Sequence, residues 1–403
     1  MFDFKFGVDL SNFFGYPEVS FNQKNKKHET EKDNRKECSS TADFKTHNKA
    51  KSVCMDGNEY TSGGLYTFSE ELRYCVARNG IGVVEALNTY TFLSANLQNF
   101  MPTIPPDQHV VLFEQFQLAQ HLNGKDTTYF VDQYPLPIHG WDSFLTELQR
   151  HPGIVCTYHF GAYQLINYLL IKAKMRFALL VAGEVKAKWH RRFPHLLTAL
   201  QKAEEDGYFE LLDANDRSSL RRLYARLAQG FLLLIYTDGL EGIHTRKRED
   251  LQSVSFLGQH IVVPKGAAQL SYTFGLPIHP LLALRRKEHI ALITGERIEP
   301  DEGVLKKSYI QETTHRLFHF LEPYLHHWPE QWTNWPHIHG MLAEVGTLLN
   351  GNKWDGDPPE DSTAYGIYCL EDRYFLLRKH DYMSFVLEKE DFEMLFDSWH
   401  RKH

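Results

Sequence analysis

A chain of 403 residues with an apolar share of 42% and 13% aromatics can bury a large core, in one domain with additions or in two. Its net charge of −7 gives no support to generic nucleic-acid binding, and no window reaches the ~18 consecutive apolar residues that a membrane span needs. The cysteines (Cys38, Cys54, Cys75, Cys156 and Cys369) are odd in number and scattered without CxxC spacing, which points to a reducing compartment and away from a disulfide frame or zinc cluster.

In chain order, residues 1–21 form an aromatic, partly apolar N-terminal segment. They lack the basic start and apolar run of a secretory leader, so a cytoplasmic protein is expected. Residues 22–58 turn sharply polar and are expected to be a flexible insertion, because they cannot bury enough surface to offset chain entropy. Residues 59–150 read as a helical region. Apolar periodicity runs from Thr67 to Phe100, Val110–Leu122 precedes an Asn123-Gly124 turn, and Trp141–Arg150 is a further helix.

From there to residue 340, strands alternate with helices, the pattern of an α/β sheet covered on both faces. Strands are predicted at Ile154–Tyr158, Arg176–Ala182, Phe209–Leu212, Phe231–Tyr236, Ile278–Leu284 and Ile290–Ile293. Helices are predicted at Tyr163–Lys172, Phe193–Asp206, Asp216–Ala228, Lys265–Phe274 and Thr313–Leu325, and Val254–Phe256 with Gln259–Val262 reads as a hairpin. Residues 351–362 read as a linker. Beyond it, residues 363–403 form a small α+β unit with strands at Ala364–Leu370, Tyr374–Arg378 and Ser384–Leu387 and a helix at Asp391–Trp399.

Chemistry concentrates at His159-Phe160-Gly161-Ala162-Tyr163-Gln164, which follows the strand Ile154–Tyr158 and opens a helix. A histidine there sits at the carboxyl end of a strand, where open α/β sheets keep their reactive groups, and it can take a proton near neutral pH. Further along come Ile235-Tyr236-Thr237-Asp238-Gly239, Val254-Ser255-Phe256-Leu257-Gly258, Pro264-Lys265-Gly266, Gly275-Leu276-Pro277-Ile278-His279-Pro280 and Trp328-Pro329-Glu330-Gln331-Trp332. In this order, over roughly 180 residues, the set resembles the lysophospholipid acyltransferase superfamily, in its late lipid A (lauroyl/myristoyl) acyltransferase branch. The resemblance implies a mixed central sheet flanked by helices and transfer of an acyl group from an acyl carrier protein or coenzyme A thioester to a hydroxyl or amine. No cofactor or metal is implied.

The family pairs its histidine with an acid in a His-x4-Asp/Glu motif, the acid orienting the imidazole and stabilising the imidazolium. Here that position is Gln164, which can accept a ring N–H but carries no charge; Asp238 or Glu241 could supply the missing acid. Backbone amides near Gly161, with basic residues, would stabilise the oxyanion. The family's arginine after the second strand is replaced by Val181-Ala182-Gly183-Glu184, and Lys186, Lys188 or Arg191 could take its role toward a phosphate. Further basic groups lie at Arg217, Arg221, Arg222 and Arg226 and at Arg246, Lys247 and Arg248; either a solvated helix face or a ligand phosphate would account for them. Cys156 is expected in the core. His326, His327, His337 and His339 fall among tryptophans and prolines and are not expected to hold zinc.

The family's membrane-anchoring segment is not seen before this domain. A soluble biosynthetic acyltransferase with a changed acceptor is therefore the first expectation. Two alternatives stay open on the same fold, an aminoacyl-tRNA-dependent transferase and a non-catalytic binding protein. Contact with a membrane surface through apolar residues between 60 and 100 is a further option.

Overall fold

A strand buried on both faces reads as an unbroken apolar run, whereas a half-solvated strand alternates. Ile154–Thr157 and Leu232–Tyr236 are of the first kind, and they lie side by side in the middle of the sheet. The computed structural model describes residues 83–130, 134–181, 194–214, 216–240, 250–301, 303–342, 352–371 and 373–401, all within the compact unit Cys54–His403.

The strands are β1 (Ile138–His139), β2 (Ile154–Thr157), β3 (Phe177–Val181), β4 (Phe209–Asp213), β5 (Leu232–Tyr236), β6 (Leu251–Phe256), β7 (Gln259–Pro264), β8 (Ile278–Arg285), β9 (Ile290–Thr294), β10 (Tyr365–Leu370), β11 (Arg373–Arg378) and β12 (Met383–Leu387). The helices are α1 (Val83–Phe100), α2 (His109–Asp126), α3 (Trp141–Arg150), α4 (Gln164–Lys172), α5 (Pro194–Glu205), α6 (Arg217–Ala228), α7 (Gly266–Phe274), α8 (Lys306–His327) and α9 (Lys389–Arg401). Among the described residues the main sheet has seven strands in the order β1-β9-β8-β2-β5-β3-β4, all pairs parallel except β8 with β9. The protein is thus mixed α/β, with a central mixed sheet and a separate antiparallel sheet, β10-β11-β12, near its C-terminal end.

Alternate side chains of the central strands go to opposite faces. Val155, Leu179 and Leu234 pack with Leu165, Ile166 and Leu169 of α4 and Leu196 and Leu200 of α5. Ile154, Cys156 and Leu233 pack on the other face with Ala267 and Ala268 of α7 and Ile310 and Leu317 of α8. A third apolar cluster joins α1, α2, the β6–β7 hairpin and α8 around Trp332 and Trp335. Each fully buried Leu, Ile or Phe in these layers contributes about 1.5–3 kcal/mol.

Most predicted elements lie within a few residues of their observed bounds. Asp216 caps α6, its side chain accepting from Ser218 N at 2.8 Å, and Leu257-Gly258 closes the β6–β7 hairpin with both residues at positive φ. Three readings need correction. The Asn123-Gly124 pair does not end its helix: α2 runs to Asp126, because Asn123 and Asp126 both hold Arg285 from the turn that contains Gly124. Helix α8 starts at Lys306 rather than Thr313, since Tyr309 and Ile310 are already buried and the Tyr309 hydroxyl lies 2.6 Å from that of Ser271. The predicted linker is partly built in: Trp354 N donates to Val386 O at 3.1 Å, and its ring packs on Tyr365 and Phe385. The polar stretch 22–58 and the start of the first predicted helix lie outside the described residues, as does the whole of residues 1–21.

Candidate functional site

The parallel pairing of β2 with β5 sets Thr157 opposite Tyr236. Continued two residues past both strand ends, that register brings His159 and Asp238 together at the carboxyl end of the sheet. The imidazole Nδ1 is 2.9 Å from Asp238 Oδ1, and the His159 backbone N–H donates to Oδ1 and Oδ2 at 3.1 and 3.0 Å. Asp238 is wholly buried, whereas the His159 side chain is 27% exposed. With the carboxylate facing Nδ1, the proton belongs on Nδ1 and the lone pair on Nε2. That is the tautomer a general base needs.

The ring is also held by its faces. Tyr236 lies against it at 4.8 Å between centroids, and Tyr163 meets it edge-on at 5.2 Å. Asn167 Nδ2 donates to the Tyr236 hydroxyl at 2.8 Å, and burial pushes that phenol well above its ordinary range, so it stays neutral. The remaining donors to Asp238 come from far along the chain. Trp332 Nε1 reaches Oδ2 at 2.7 Å, and Asn334 Nδ2 reaches the Asp238 carbonyl at 2.7 Å and Oδ2 at 3.1 Å. A buried carboxylate requires such partners.

The turn that carries His159 is tightly specified. Phe160 N donates to Tyr158 O at 2.7 Å, Gly161 N to Gln331 O at 2.9 Å and Ala162 N to Ala283 O at 2.7 Å. Gly161 has φ +60°, and a Cβ there would stand 2.1 Å from Ala283 O, so only glycine fits. The amides of residues 159–162 are therefore all engaged within the fold. The oxyanion role expected for amides near Gly161 finds no vacant donor among these four, and Gly161 serves the geometry of the turn.

The acid beside the ring is Asp238, not a group at the His-x4 position; Gln164 opens α4 and is buried. Lys186, Lys188, Arg191 and Glu241 lie outside the described residues, as do Arg246, Lys247 and Arg248. In α6, Arg226 pairs with Glu210 through a short contact, and Arg222 pairs with Glu210 at 3.4 Å. These two half-exposed arginines thus neutralise the buried Glu210. Cys156 is buried with its thiol pushed up to about 12 by desolvation, which rules it out as a thiolate nucleophile. Of the four histidines near the tryptophans, His337 and His339 are built into packing. Burial pushes His337 down to about 4, and His339 stacks between Phe92 and Tyr382.

The sequence assigns no role to Trp332, Asn334, Tyr236 or Asn167, although Trp332 and Tyr236 lie within its motifs. Strand register could have found Tyr236, two residues before Asp238. Nothing in local spacing links Trp332 or Asn334 to Asp238. No protein-family model and no curated protein sequence matches the chain.

Proposed function

We propose that the protein is an acyltransferase that moves an acyl group from a thioester to an amine or hydroxyl, with His159 as general base and Asp238 as its orienting acid. The observation that carries this reading is the buried Asp238 carboxylate 2.9 Å from Nδ1 of a partly exposed histidine. The arrangement lies at the strand ends where α/β proteins bind ligands. The motif resemblance, from Gly153 to Trp332, adds the reaction class.

In the step itself, the acceptor oxygen or nitrogen attacks the thioester carbonyl carbon while Nε2 removes its proton. The tetrahedral intermediate expels the thiolate as the C–S bond breaks, and the imidazolium returns the proton to that sulfur. Asp238 stabilises the imidazolium between these events. Cys156 holds its proton in the core, and in this reading the acyl group passes directly from donor to acceptor without an acyl-enzyme. A cytoplasmic setting and a carrier-protein or coenzyme A donor belong to the same reading. No helix among the described residues is long and apolar enough to cross a membrane.

The test is thioester discharge followed by mass spectrometry, with acyl groups offered on coenzyme A, on carrier protein and as aminoacyl-tRNA. One donor class is consumed by the wild type. His159→Ala and Asp238→Asn slow that consumption by about 10²–10⁴-fold, the usual contribution of a positioned base and its partner. Discharge unaffected by His159→Ala would overturn the mechanism, and indifference to every thioester would overturn the reaction class.

A further inference from the structure

An ionised group taken wholly out of water needs hydrogen bonds from every side, or it neutralises or moves. The side-chain donors to Asp238 divide between its two oxygens. Oδ1 faces the imidazole Nδ1 at 2.9 Å, and Oδ2 faces the Trp332 indole at 2.7 Å and the Asn334 amide at 3.1 Å. The His159 backbone N–H is shared between them. Asn334 also donates to the backbone carbonyl of Asp238 at 2.7 Å, so one amide group grips the main chain and the carboxylate of the same residue. That two-point grip fixes the side-chain torsions of Asp238 relative to its own backbone.

The segment carrying these two residues is itself locked to the histidine turn. Trp332 bridges Phe160, and Thr333 N donates to His159 O at 2.9 Å. The side-chain amide of Gln331 closes on the backbone N and O of Arg285, each at 3.0 Å. Trp332 is fully buried and Asn334 is 7% exposed, so neither is placed to meet a substrate.

We propose that Trp332 and Asn334 are positioning residues that hold Asp238 Oδ1 against His159 and set how firmly the carboxylate retains a protonated imidazole. This rests on the reading of His159 and Asp238 as a proton-transferring pair. The two act differently. A hydrogen bond to Oδ2 draws charge away from Oδ1, and its removal returns that charge to the oxygen facing the ring. Trp332→Phe keeps an aromatic ring and the Asn334 grip but deletes the indole donor, so the imidazolium is held more tightly. Asn334→Leu keeps the volume and also removes an Oδ2 donor, but that bond is the longer one at 3.1 Å. The 2.7 Å grip on the main chain goes with it, so the carboxylate turns and the imidazolium is held less.

Other titratable groups around the pair are Tyr163 in the turn before α4, Tyr236 in β5 and Tyr158 after β2, with Cys156 beside Tyr158. Burial pushes Tyr158, Tyr236 and Cys156 upward, so these three hold their protons through neutral pH.

The experiment is a pH titration of the full chain labelled with ¹⁵N-histidine, followed by long-range ¹H–¹⁵N correlation. The His159 signal is assigned by its loss in His159→Gln. Expected is a rise of the His159 midpoint in Trp332→Phe and a fall in Asn334→Leu, each by roughly half a pH unit, about threefold in proton affinity. Asp238→Asn lowers it further. Should Asn334→Leu fail to fold by circular dichroism, Asn334→Ser, which cannot reach the carboxylate, replaces it. Midpoints unchanged in both variants, or shifted in the same direction, would overturn the proposal. The titration reads the pair without any substrate, so a chain that discharges no thioester would leave this inference standing while the proposed function fell.

Discussion

A single methyl group tests the tightness of the histidine turn. At Gly161 the backbone lies in the left-handed region, and a Cβ would collide with Ala283 O at 2.1 Å, an atom in the rigid middle of β8 that cannot retreat. Gly161→Ala is expected to lower stability by more than the ~1–3 kcal/mol of backbone strain alone, measured by urea unfolding. The same variant should displace His159 from Asp238 and depress thioester discharge. An alanine that cost nothing would mean that the turn adopts another path. At this scale the site was half legible. His159 and Asp238 stand out because each follows an apolar strand, whereas Trp332 and Asn334 reach Asp238 only through tertiary folding across 94 and 96 residues of sequence.

Among the elements, the seam between α1 and the small C-terminal sheet is the most instructive. Strand β10 is an edge strand, and exposed edges invite unwanted pairing. Asn88 of α1 covers it as a neighbouring strand would, donating to Cys369 O at 2.7 Å and accepting from Cys369 N at 2.9 Å, while Thr91 donates to Ile367 O at 2.7 Å. The same seam contains Lys379, which is 3% exposed with its ammonium bonded to Ser362 O at 2.8 Å. Burial pushes this lysine down to about 8, with Asp361 pulling weakly the other way. An unfolded lysine titrates near ~10.4, so below that pH the unfolded chain binds the proton more readily and stability rises with pH between about 8 and ~10.4. Lys379→Met should abolish that rise and stabilise the protein at pH 7 by on the order of 1–3 kcal/mol, seen in denaturant titrations at several pH values. A variant less stable than wild type at pH 7 would show that the bond to Ser362 outweighs the burial cost. The seam was not readable from sequence, because Asn and Thr in a helix ordinarily signal nothing about a strand nearly 280 residues away.

For the molecule as a whole, His109, His279 and His337 each add to the acid response. Burial, assisted by Lys379, pushes His109 down to about 4, and burial alone does the same to His337. His279 is lowered as well, chiefly by burial. Each is neutral when folded and binds a proton near ~6.5 when unfolded, so the unfolded state holds more protons below that pH. Stability should therefore fall as pH drops from ~6.5 towards 4, by up to about 3 kcal/mol each for His109 and His337. The double variant His109→Gln, His337→Gln should flatten that fall, whatever its stability at pH 7; an unchanged slope would locate the acid sensitivity elsewhere.

The overall architecture was the most legible level. The alternation of apolar runs and helical stretches from Ile154 to Thr294 is dense enough to place nearly every strand. Strand order was not legible, since β5 inserts between β2 and β3 by tertiary preference alone.

That insertion has a consequence for how the site comes into being. The imidazole and its carboxylate are 79 residues apart, and the brace from Trp332 lies 94 residues further on. No local fragment contains the pair, and none that ends before Pro329 contains the brace. Long loops must close before any of these bonds can form, and such contacts are slow to establish. Without the His159 turn and the Trp332 segment, a buried Asp238 carboxylate would be short of donors. The dyad is thus a product of long-range folding, since neither β2 nor β5 alone places the imidazole beside the carboxylate.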